Sequence, residues 1–303
     1  MVGAVAAWLG LRARAVPAER DHTRRFGTRY TLGVDFRGYA AQPDDRLDLL
    51  TGSILVASDA YPGLNAAALE RQITALSSAI DRDRLARLPA AAQARVLSDH
   101  LYVACGFHGN DAAYYDPRNS YLNEVLARRT GIPISLAVVY IEVARRLGVP
   151  ASPVGFPGHF LVRIDDGERR VIVDPFHGGR VLSDAALAKL LRRTGYKQPL
   201  VPEMLAPTPV RHVIARMLMN LRGVYSMIGD SARVLVVLDR LIELLPENAE
   251  ELRDRGLLLG RLGAPEWAAS DLRQYAERLP HAGDIPEVRR WIERFESTRD
   301  RSQ

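Results

Sequence analysis

An apolar helix followed at once by two short strands, all within residues 131–175, constrains the fold of this chain more than any other stretch. Residues 135–147 are apolar on most faces, and Arg145, Arg146 and Gly148 at the end of this run are typical of a helix C-terminus. Two β-type runs come next, at 159–164 and 169–174, separated by the turn sequence Asp-Asp-Gly-Glu. The stretch therefore predicts a helix packed against an antiparallel hairpin.

The turn also predicts how the two strands pair. If residues 166–167 form a two-residue loop, counting outward places His159 directly opposite Asp174. Directly opposed residues have Cβ atoms roughly 4.5–5.5 Å apart, so the imidazole and the carboxylate would be within hydrogen-bond reach. A carboxylate in that position orients a histidine ring and raises its basicity, as in nucleophile–base–orienter sites. The same register sets Arg163 against Arg170, and a histidine on a strand can equally be a core residue bonded to a backbone carbonyl.

The order of these elements resembles a known family. A helix, a Gly-Val-Pro-Ala turn at 148–151, a strand opening with His159 and a strand ending in Asp174-Pro175 are similar to the transglutaminase-like (papain-related) core. In that family a cysteine at the N-terminus of the helix is the nucleophile, and the histidine and aspartate complete the triad. More narrowly, the chain resembles the bacterial SirB-type proteins, a transglutaminase-like branch with a tetratricopeptide-like tail, through the segments YYDPRNSYLNEVLARRTGIPISLAVVYIEVARRLG, PGHFLVR and VDPFHGG.

The resemblance covers roughly residues 45–295 and has direct implications for the fold. It implies an α+β architecture, in which a helix-rich transglutaminase-like domain contains a small antiparallel sheet. An all-α tetratricopeptide-like helical tail is expected to follow this domain.

The position that the family gives to its nucleophile holds a residue that cannot attack. The resemblance places that position at Pro133, and the nearest hydroxyl is Ser135, in or near the first helical turn. A helix N-terminus favours a developing negative charge, whereas a serine there commonly satisfies free backbone N–H groups. We therefore expect a degenerate domain that acts through binding or regulation and not through catalysis. The alternative is an amide or ester hydrolase, or an acyltransferase, with Ser135 as nucleophile, His159 as base and Asp174 as orienter.

A polar, aromatic loop at 106–120 precedes the helix and is typical of segments that carry recognition. Four polar side chains from this region are candidates for lining the same pocket as the histidine: Asn119, Asn123, Tyr115 and Asp116. Structural roles explain them equally well, with Asp116 and the proline after it forming a turn and Ser120 capping a helix that has Asn123 in its first turn.

Other reactive side chains are expected to be structural. The one cysteine, Cys105, falls on an apolar helix, where an inert buried thiol is typical. His108, His159, His177 and Asp174 match no compact metal-ligand spacing, so the sequence predicts no metal and no cofactor.

Composition narrows the classes of partner and compartment. The net charge of +5 comes from 41 basic residues that are almost all arginine, with lysine only at 189 and 197, and no basic run is interleaved with aromatic residues. This pattern argues against nucleic-acid binding. A single cysteine fits a reducing cytosol, and residues 2–11 are too short an apolar run to span a membrane, so we expect a cytoplasmic protein with no membrane partner.

The C-terminal third of the chain repeats itself. Ile-Gly-Asp at 228–230 recurs as Leu-Gly-Ala at 262–264, and Leu-Pro at 245–246 recurs at 279–280, both at a spacing of 34 residues. This is the tetratricopeptide period, in which each unit is a pair of helices. The predicted helices are 210–228, 231–245, 249–262, 265–279 and a capping helix at 285–298.

These patterns predict three regions. Residues 1–40 are expected to be a poorly ordered N-terminal extension, residues 41–205 the transglutaminase-like domain, and residues 206–303 the helical repeats, with a proline-dense linker or surface segment before them. Helical repeats expose a groove that can bind a protein or peptide partner, although here they can also serve only to complete the fold.

Overall fold

The computed structural model describes residues 34–166 and 169–300. Most of the expected N-terminal extension, residues 1–33, lies outside the described residues. The rest of that extension differs from the prediction, because Phe36–Ala40 forms helix α1. Phe36 and Tyr39 are almost completely buried, so ordered structure begins before residue 41.

The described chain divides into two compact units. Unit one contains residues 42–217, and unit two contains residues 218–300 together with 36–41. The division falls inside a helix and not at residue 205, where proline density had suggested it.

Unit one contains seven helices among its described residues. They are α2 Leu49–Ala60, α3 Ala66–Ser78, α4 Arg82–Ala86, α5 Ala90–Ser98, α6 Leu122–Arg128, α7 Pro133–Arg146 and α8 Asp184–Arg193. Polar N-caps explain several starts: the side chains of Asp48, Asn65, Asp81 and Ser183 each accept a hydrogen bond from a backbone N–H of the first turn. A π-helical turn, Asp99–Ala104, continues α5.

Two small sheets accompany these helices. Strands β1 His108–Gly109 and β2 Thr130–Gly131 form a parallel pair. Strands β3 Ala151–Val154, β4 Leu161–Asp165, β5 Arg170–Asp174 and β6 Arg180–Leu182 form an antiparallel sheet in that order. Helix α7 packs against β3 and β4, and its residues from Pro133 to Ala144 are all buried. The predicted α+β class, with a helix-rich domain and a small antiparallel sheet, is confirmed.

The hairpin turn differs from the predicted two-residue loop. Asp165 pairs with Arg170, so the loop contains the four residues 166–169. The side chain of Asp166 accepts a hydrogen bond from the Arg169 backbone N–H at 2.8 Å, which closes the wider loop. Asp166, which the sequence analysis placed in the two-residue loop, therefore caps the turn with its side chain.

The wider loop shifts the strand register by two residues. Arg163 lies opposite Ile172 and not opposite Arg170, so the predicted clash of two arginines does not occur. His159 precedes β4 and has no strand partner, so the predicted direct pairing with Asp174 was wrong. A shift of two leaves every side chain on the same face of the sheet, because side chains alternate with a period of two.

The proline-dense segment before the repeats belongs to unit one. Leu205, in the 3₁₀ turn Pro202–Leu205, is buried with apolar residues of β3, β4 and α8. The backbone N–H of Thr208 donates to the Pro153 carbonyl at 2.8 Å, and its hydroxyl oxygen accepts from the Gly155 N–H at 2.7 Å. The segment is therefore fixed along β3.

Unit two is all-helical. Its helices are α9 Val210–Ile228, which begins in unit one, α10 Ser231–Leu244, α11 Glu250–Arg261, α12 Pro265–Arg278 and α13 Ile285–Asp300. Gly229 and Gly263, 34 residues apart, both have positive φ (76° and 80°) and end the first helix of each pair in the same way. Helix α1 packs on α10, where the Arg240 guanidinium lies 5.1 Å from the centre of the Phe36 ring. The predicted helical tail is confirmed.

None of the helices in residues 34–166 and 169–300 is both long enough and apolar enough to cross a bilayer.

Candidate functional site

An imidazole and a buried carboxylate meet beside the antiparallel sheet of unit one. His159 Nε2 lies 2.9 Å from Asp174 Oδ1, although the two residues are not paired in the register. Asp174 is the last residue of β5 and is completely buried, and His159 lies in the turn before β4 with 9% of its surface exposed. The contact is compatible with the observed register, since a shift of two residues does not move a side chain to the other face of the sheet.

Asp174 has more partners than an orienting carboxylate requires. His177 Nδ1 lies 2.8 Å from Oδ2, and Arg180 Nη2 donates to the same oxygen at 3.1 Å. The backbone N–H groups of Phe176 and His177 donate to Oδ1 at 3.2 and 3.3 Å. Burial alone would raise the pKa of Asp174, but the hydrogen bonds and charges of His159 and His177 outweigh it and lower this pKa to about 2. The carboxylate is therefore ionised at neutral pH.

The backbone around the histidine is held by an arginine from helix α9. Arg216 donates to the His159 carbonyl at 2.8 Å and to the Phe156 carbonyl at 3.3 Å, and its guanidinium lies 5.6 Å from the centre of the Phe160 ring. Burial lowers the pKa of Arg216. His159 Nδ1 has no hydrogen-bond partner among the described residues, so this nitrogen faces away from the carboxylate and remains available.

Helix α7 begins with a proline, and a serine follows two residues later. Pro133 is its first residue and is buried. The Ser135 hydroxyl donates to the Asn119 carbonyl at 2.6 Å and accepts from the Ile132 backbone N–H at 3.1 Å. Its side chain is buried, with a relative exposure of 1%, and no hydrogen bond joins it to His159 in the described part of the chain. Ser135 thus has the geometry of a helix-start residue.

The predicted pocket residues take different positions. Asn119 is fully buried, and its amide donates to the Ala113 carbonyl at 2.7 Å while accepting from Asn110 at 3.0 Å. Asp116 caps the 3₁₀ turn Pro117–Ser120 and forms an ion pair with Arg118, whose hydrogen bond lowers the pKa of Asp116. These two residues shape the loop, and within the described ranges neither forms a hydrogen bond with His159.

Of the remaining predicted pocket residues, Tyr115 is 62% exposed and Asn123 is half-buried, with a buried Oδ1 that has no partner among the described residues. The residue that reaches the site is Tyr114, whose ring centre lies 5.9 Å from that of Phe176. Phe176 in turn stands edge-on to His159 at 6.3 Å. Tyr115 contacts this group through Tyr114, since the two tyrosine ring centres lie 5.4 Å apart.

The cysteine does not form a dyad with its neighbouring histidine. Cys105 is half-buried rather than fully buried, and its Sγ lies 3.5 Å from His100 Nε2. The same nitrogen lies 2.7 Å from the Leu76 carbonyl oxygen, which can only accept, so Nε2 carries a proton. It therefore cannot remove the proton of the thiol.

Three side chains at the site have the right chemistry to bind a cation. His159, Asp174 and His177 offer nitrogen and oxygen atoms that all lie within 4.8 Å of one another. His108, which had been considered with them, is engaged elsewhere: its Nδ1 is 3.1 Å from the Gly106 carbonyl and its Nε2 is 3.1 Å from the Thr130 hydroxyl.

Unit two contains a separate cavity of about 210 Å³. Helices α9, α10 and α11 line it with both charged and apolar side chains: Arg222, Ser226, Val234, Leu238, Asp254, Leu257, Leu258 and Arg261.

Comparison with known proteins agrees with this division. Residues 67–219 match the transglutaminase-like superfamily, and residues 221–293 match the tetratricopeptide repeat. A UPF0162 protein of Xylella fastidiosa strain Temecula1 is 40% identical over 258 residues, which covers 82% of this chain and 90% of that protein. A UPF0162 protein of Vibrio cholerae is 31% identical over 182 residues, covering 60% and 67% of the two chains.

A solved structure is also similar, at a lower level. The crystal structure of menin, described as revealing the binding site for Mixed Lineage Leukemia protein, aligns with a TM-score of 0.34 and 12% identity. The alignment covers 84% of this chain and 72% of menin. The sequence matches and the two-unit fold lead to one assignment: the chain belongs to the transglutaminase-like superfamily and to its UPF0162 proteins, with a tetratricopeptide tail.

Proposed function

We propose that this protein is a non-catalytic binding protein whose tetratricopeptide unit docks a peptide segment of a protein partner. The observation that supports it most is the cavity between α9, α10 and α11. Grooves between repeat helices are suited to hold extended or helical peptides, because side chains from several helices converge on them.

The chemistry of the cavity favours an acidic and aliphatic segment. Its apolar wall is formed by Val234 and Leu238 of α10 and by Leu257 of α11. Two arginines stand beside this wall, of which Arg222 is paired with Glu251 and with Asp254. Arg261 is exposed and forms no ion pair with any described residue. A peptide that places an aliphatic side chain on the wall and a carboxylate against Arg261 would complement both features.

A peptide-display selection on the immobilised full chain tests this proposal. We expect the enriched peptides to combine aliphatic residues with Asp, Glu or a free C-terminal carboxylate. Binding of an enriched peptide, measured by fluorescence anisotropy, is expected to weaken at least about tenfold in R261E, because the variant replaces attraction with like-charge repulsion.

Arg289 provides the matched control for that substitution. It is an exposed arginine of helix α13 in the same unit and does not line the cavity. R289E changes the net charge by the same amount, so binding by this variant is expected to stay within about twofold of the unmodified chain. Equal losses in R261E and R289E, or a selection without acidic enrichment, would refute the proposed groove.

The absence of catalysis is part of the same proposal. It is supported by Pro133 at the start of α7 and by the buried hydroxyl of Ser135, whose proton is donated to a carbonyl. The alternative, acyl transfer through Ser135, His159 and Asp174, is favoured by the 2.9 Å contact between the last two residues. Incubation with serine-directed and cysteine-directed acylating probes separates the two. Labelling that is lost in Ser135→Ala or Cys105→Ala would establish the enzyme, and an unlabelled protein supports the binding role.

We further infer that this chain belongs to the SirB-type branch, because its motifs occur in that order and end in the segment VDPFHGG. We infer a cytoplasmic location from the single cysteine. We infer no nucleic-acid partner, because no basic run is interleaved with aromatic residues. Electrophoretic mobility of duplex and single-stranded probes at 50 mM salt tests the last point, since phosphate-driven binding is strongest at low ionic strength.

A further inference from the structure

We propose that His159, Asp174 and His177 form a binding site for one divalent transition-metal ion of the Zn²⁺ type. This site goes beyond the peptide-binding role and is independent of it. Two imidazoles and one carboxylate are a ligand set that proteins use for zinc and for non-haem iron, with the remaining positions left to water.

The distances are close to those that a bound ion requires. Zn²⁺ binds imidazole nitrogen and carboxylate oxygen at about 2.0–2.2 Å, which sets neighbouring ligand atoms of a tetrahedron about 3.3 Å apart. His159 Nε2 lies 2.9 Å from Asp174 Oδ1, and His177 Nδ1 lies 2.8 Å from Oδ2. All three groups offer ligand atoms within 4.8 Å of one another. Small rotations of the side chains are therefore enough to enclose an ion.

The ring nitrogens that face the carboxylate are the ones that would coordinate. Each neutral imidazole must then present its lone pair inward and carry its proton on the other nitrogen. For His159 this other nitrogen is Nδ1, which has no hydrogen-bond partner within the described ranges, and the same holds for Nε2 of His177. The change of tautomer thus breaks no hydrogen bond other than those that the ion replaces.

A second histidine on the same carboxylate is the feature that points to a ligand. Orienting one catalytic imidazole takes a single carboxylate contact, which His159 already makes. His177 follows Asp174 by three residues across the 3₁₀ turn Pro175–His177, which brings its ring back onto the carboxylate. The side chain of His177 is 37% exposed, so an ion can reach the cluster from solvent. Backbone N–H groups of Phe176 and His177 keep the buried carboxylate oriented.

The positive charge of Arg180 disfavours the binding of a cation at this cluster. Arg180 Nη2 donates to Asp174 Oδ2 at 3.1 Å, and the charge of this guanidinium disfavours a second cation. Its side chain is 51% exposed and lies on β6, at the edge of the sheet, so it can turn into solvent. Removing this charge is expected to strengthen metal binding at the cluster. If Asp174 served only as a shared hydrogen-bond acceptor, the same change would instead weaken the hydrogen-bond network around it.

The test is a titration of the full chain with Zn²⁺ alone, measured by isothermal titration calorimetry at neutral pH. We expect one ion per chain and at least about 100-fold weaker binding in H177Q, because loss of a direct ligand exceeds the 10–100-fold cost of losing a supporting group. H281Q, which alters an exposed histidine of unit two, is the matched control and is expected to bind as the unmodified chain does. R180Q is expected to bind about fivefold more tightly.

A second measurement keeps the test valid if H177Q fails to fold. In ¹⁵N-histidine NMR of the unmodified chain, Zn²⁺ is expected to shift Nε2 of His159 and Nδ1 of His177 and to leave His281 unchanged. No binding below about 1 mM Zn²⁺, equal binding by H177Q, weaker binding by R180Q, or shifts confined to other histidines would each overturn the assignment. Peptide binding measured in the presence of a chelator reports separately on the groove of unit two.

Discussion

The buried carboxylate of Asp174 gives the sharpest quantitative prediction for unit one. Asp174→Asn keeps the shape of the side chain but removes the charge that faces His159, His177 and Arg180. Removing one partner from a buried, hydrogen-bonded charge network typically costs about 3–5 kcal/mol of unfolding free energy. We therefore expect D174N to destabilise unit one by an amount in this range at pH 6.

The pH dependence of that loss follows from the pKa of the carboxyl group. Folding lowers the pKa of Asp174 from 3.8 to about 2. Because the pKa of Asp174 is lower in the folded state than in the unfolded state, the stabilisation is complete above the pKa of the unfolded state. It is lost as the pH falls through the pKa of the folded state. Each unit of difference in pKa corresponds to about 1.36 kcal/mol, so the charge contributes about 2 kcal/mol, which disappears between about pH 4 and pH 2.

Urea unfolding followed by far-UV circular dichroism at pH 6, 4, 3 and 2 measures both quantities. The difference in unfolding free energy between the unmodified chain and D174N is expected to shrink by about 2 kcal/mol across this series. Asp45→Asn alters an exposed carboxylate of the same unit and serves as the control. A difference that stays constant from pH 6 to pH 2 would show that the charge of Asp174 does not stabilise the fold.

Three further substitutions test other parts of the structure. Gly260→Ala would place a Cβ into the Phe295 ring and is expected to lower the unfolding free energy of unit two by about 1–3 kcal/mol in urea titrations, whereas Gly283→Ala meets open space and is its control. Arg216→Ala frees two carbonyls near the histidine, so we expect about 1–3 kcal/mol lower stability and faster hydrogen exchange of β4. Ser135→Ala is expected to cost about 1–3 kcal/mol by calorimetry, because it leaves a buried N–H without its partner, and an unchanged melting temperature would contradict this role.

The helical tail could be predicted from the sequence almost residue by residue. Its 34-residue period repeats not only apolar positions but also the turn glycines at 229 and 263, which both adopt positive φ. Each helix pair repeats a local pattern that needs no knowledge of distant contacts. The predicted end of the second helix, at 245, therefore differs from the structure by one residue.

The hairpin shows why strand pairing is harder to predict. The sequence Asp-Asp-Gly-Glu is compatible with a two-residue loop at 166–167. In the structure Asp166 and Arg169 are instead joined by two hydrogen bonds, one from the Arg169 N–H to the Asp166 side chain and one from the Asp166 N–H to the Arg169 carbonyl. The predicted contact between His159 and Asp174 nevertheless occurs, since an error of two residues preserves the face of the sheet. An error of one residue would have separated the two side chains.

The rest of the site depends on contacts between distant parts of the chain. Arg216 reaches the His159 carbonyl from a helix 57 residues away, and no local pattern marks it. Asn119 has the composition of a binding residue, but its amide is consumed by the carbonyls of its own loop. His177 was considered as a metal ligand and set aside because the four candidates match no compact ligand spacing, whereas in the structure three of them meet through the turn that follows Asp174.

We propose that this protein binds a partner through unit two and performs no chemistry at His159. The most direct test is a ¹H–¹⁵N NMR titration of the full chain with an enriched acidic peptide, continued for hours to detect cleavage. We expect shifts at Val234, Leu257 and Arg261, an intact peptide, and no shift at His159 or Asp174. Shifts centred on His159, accompanied by hydrolysis of the peptide, would contradict it.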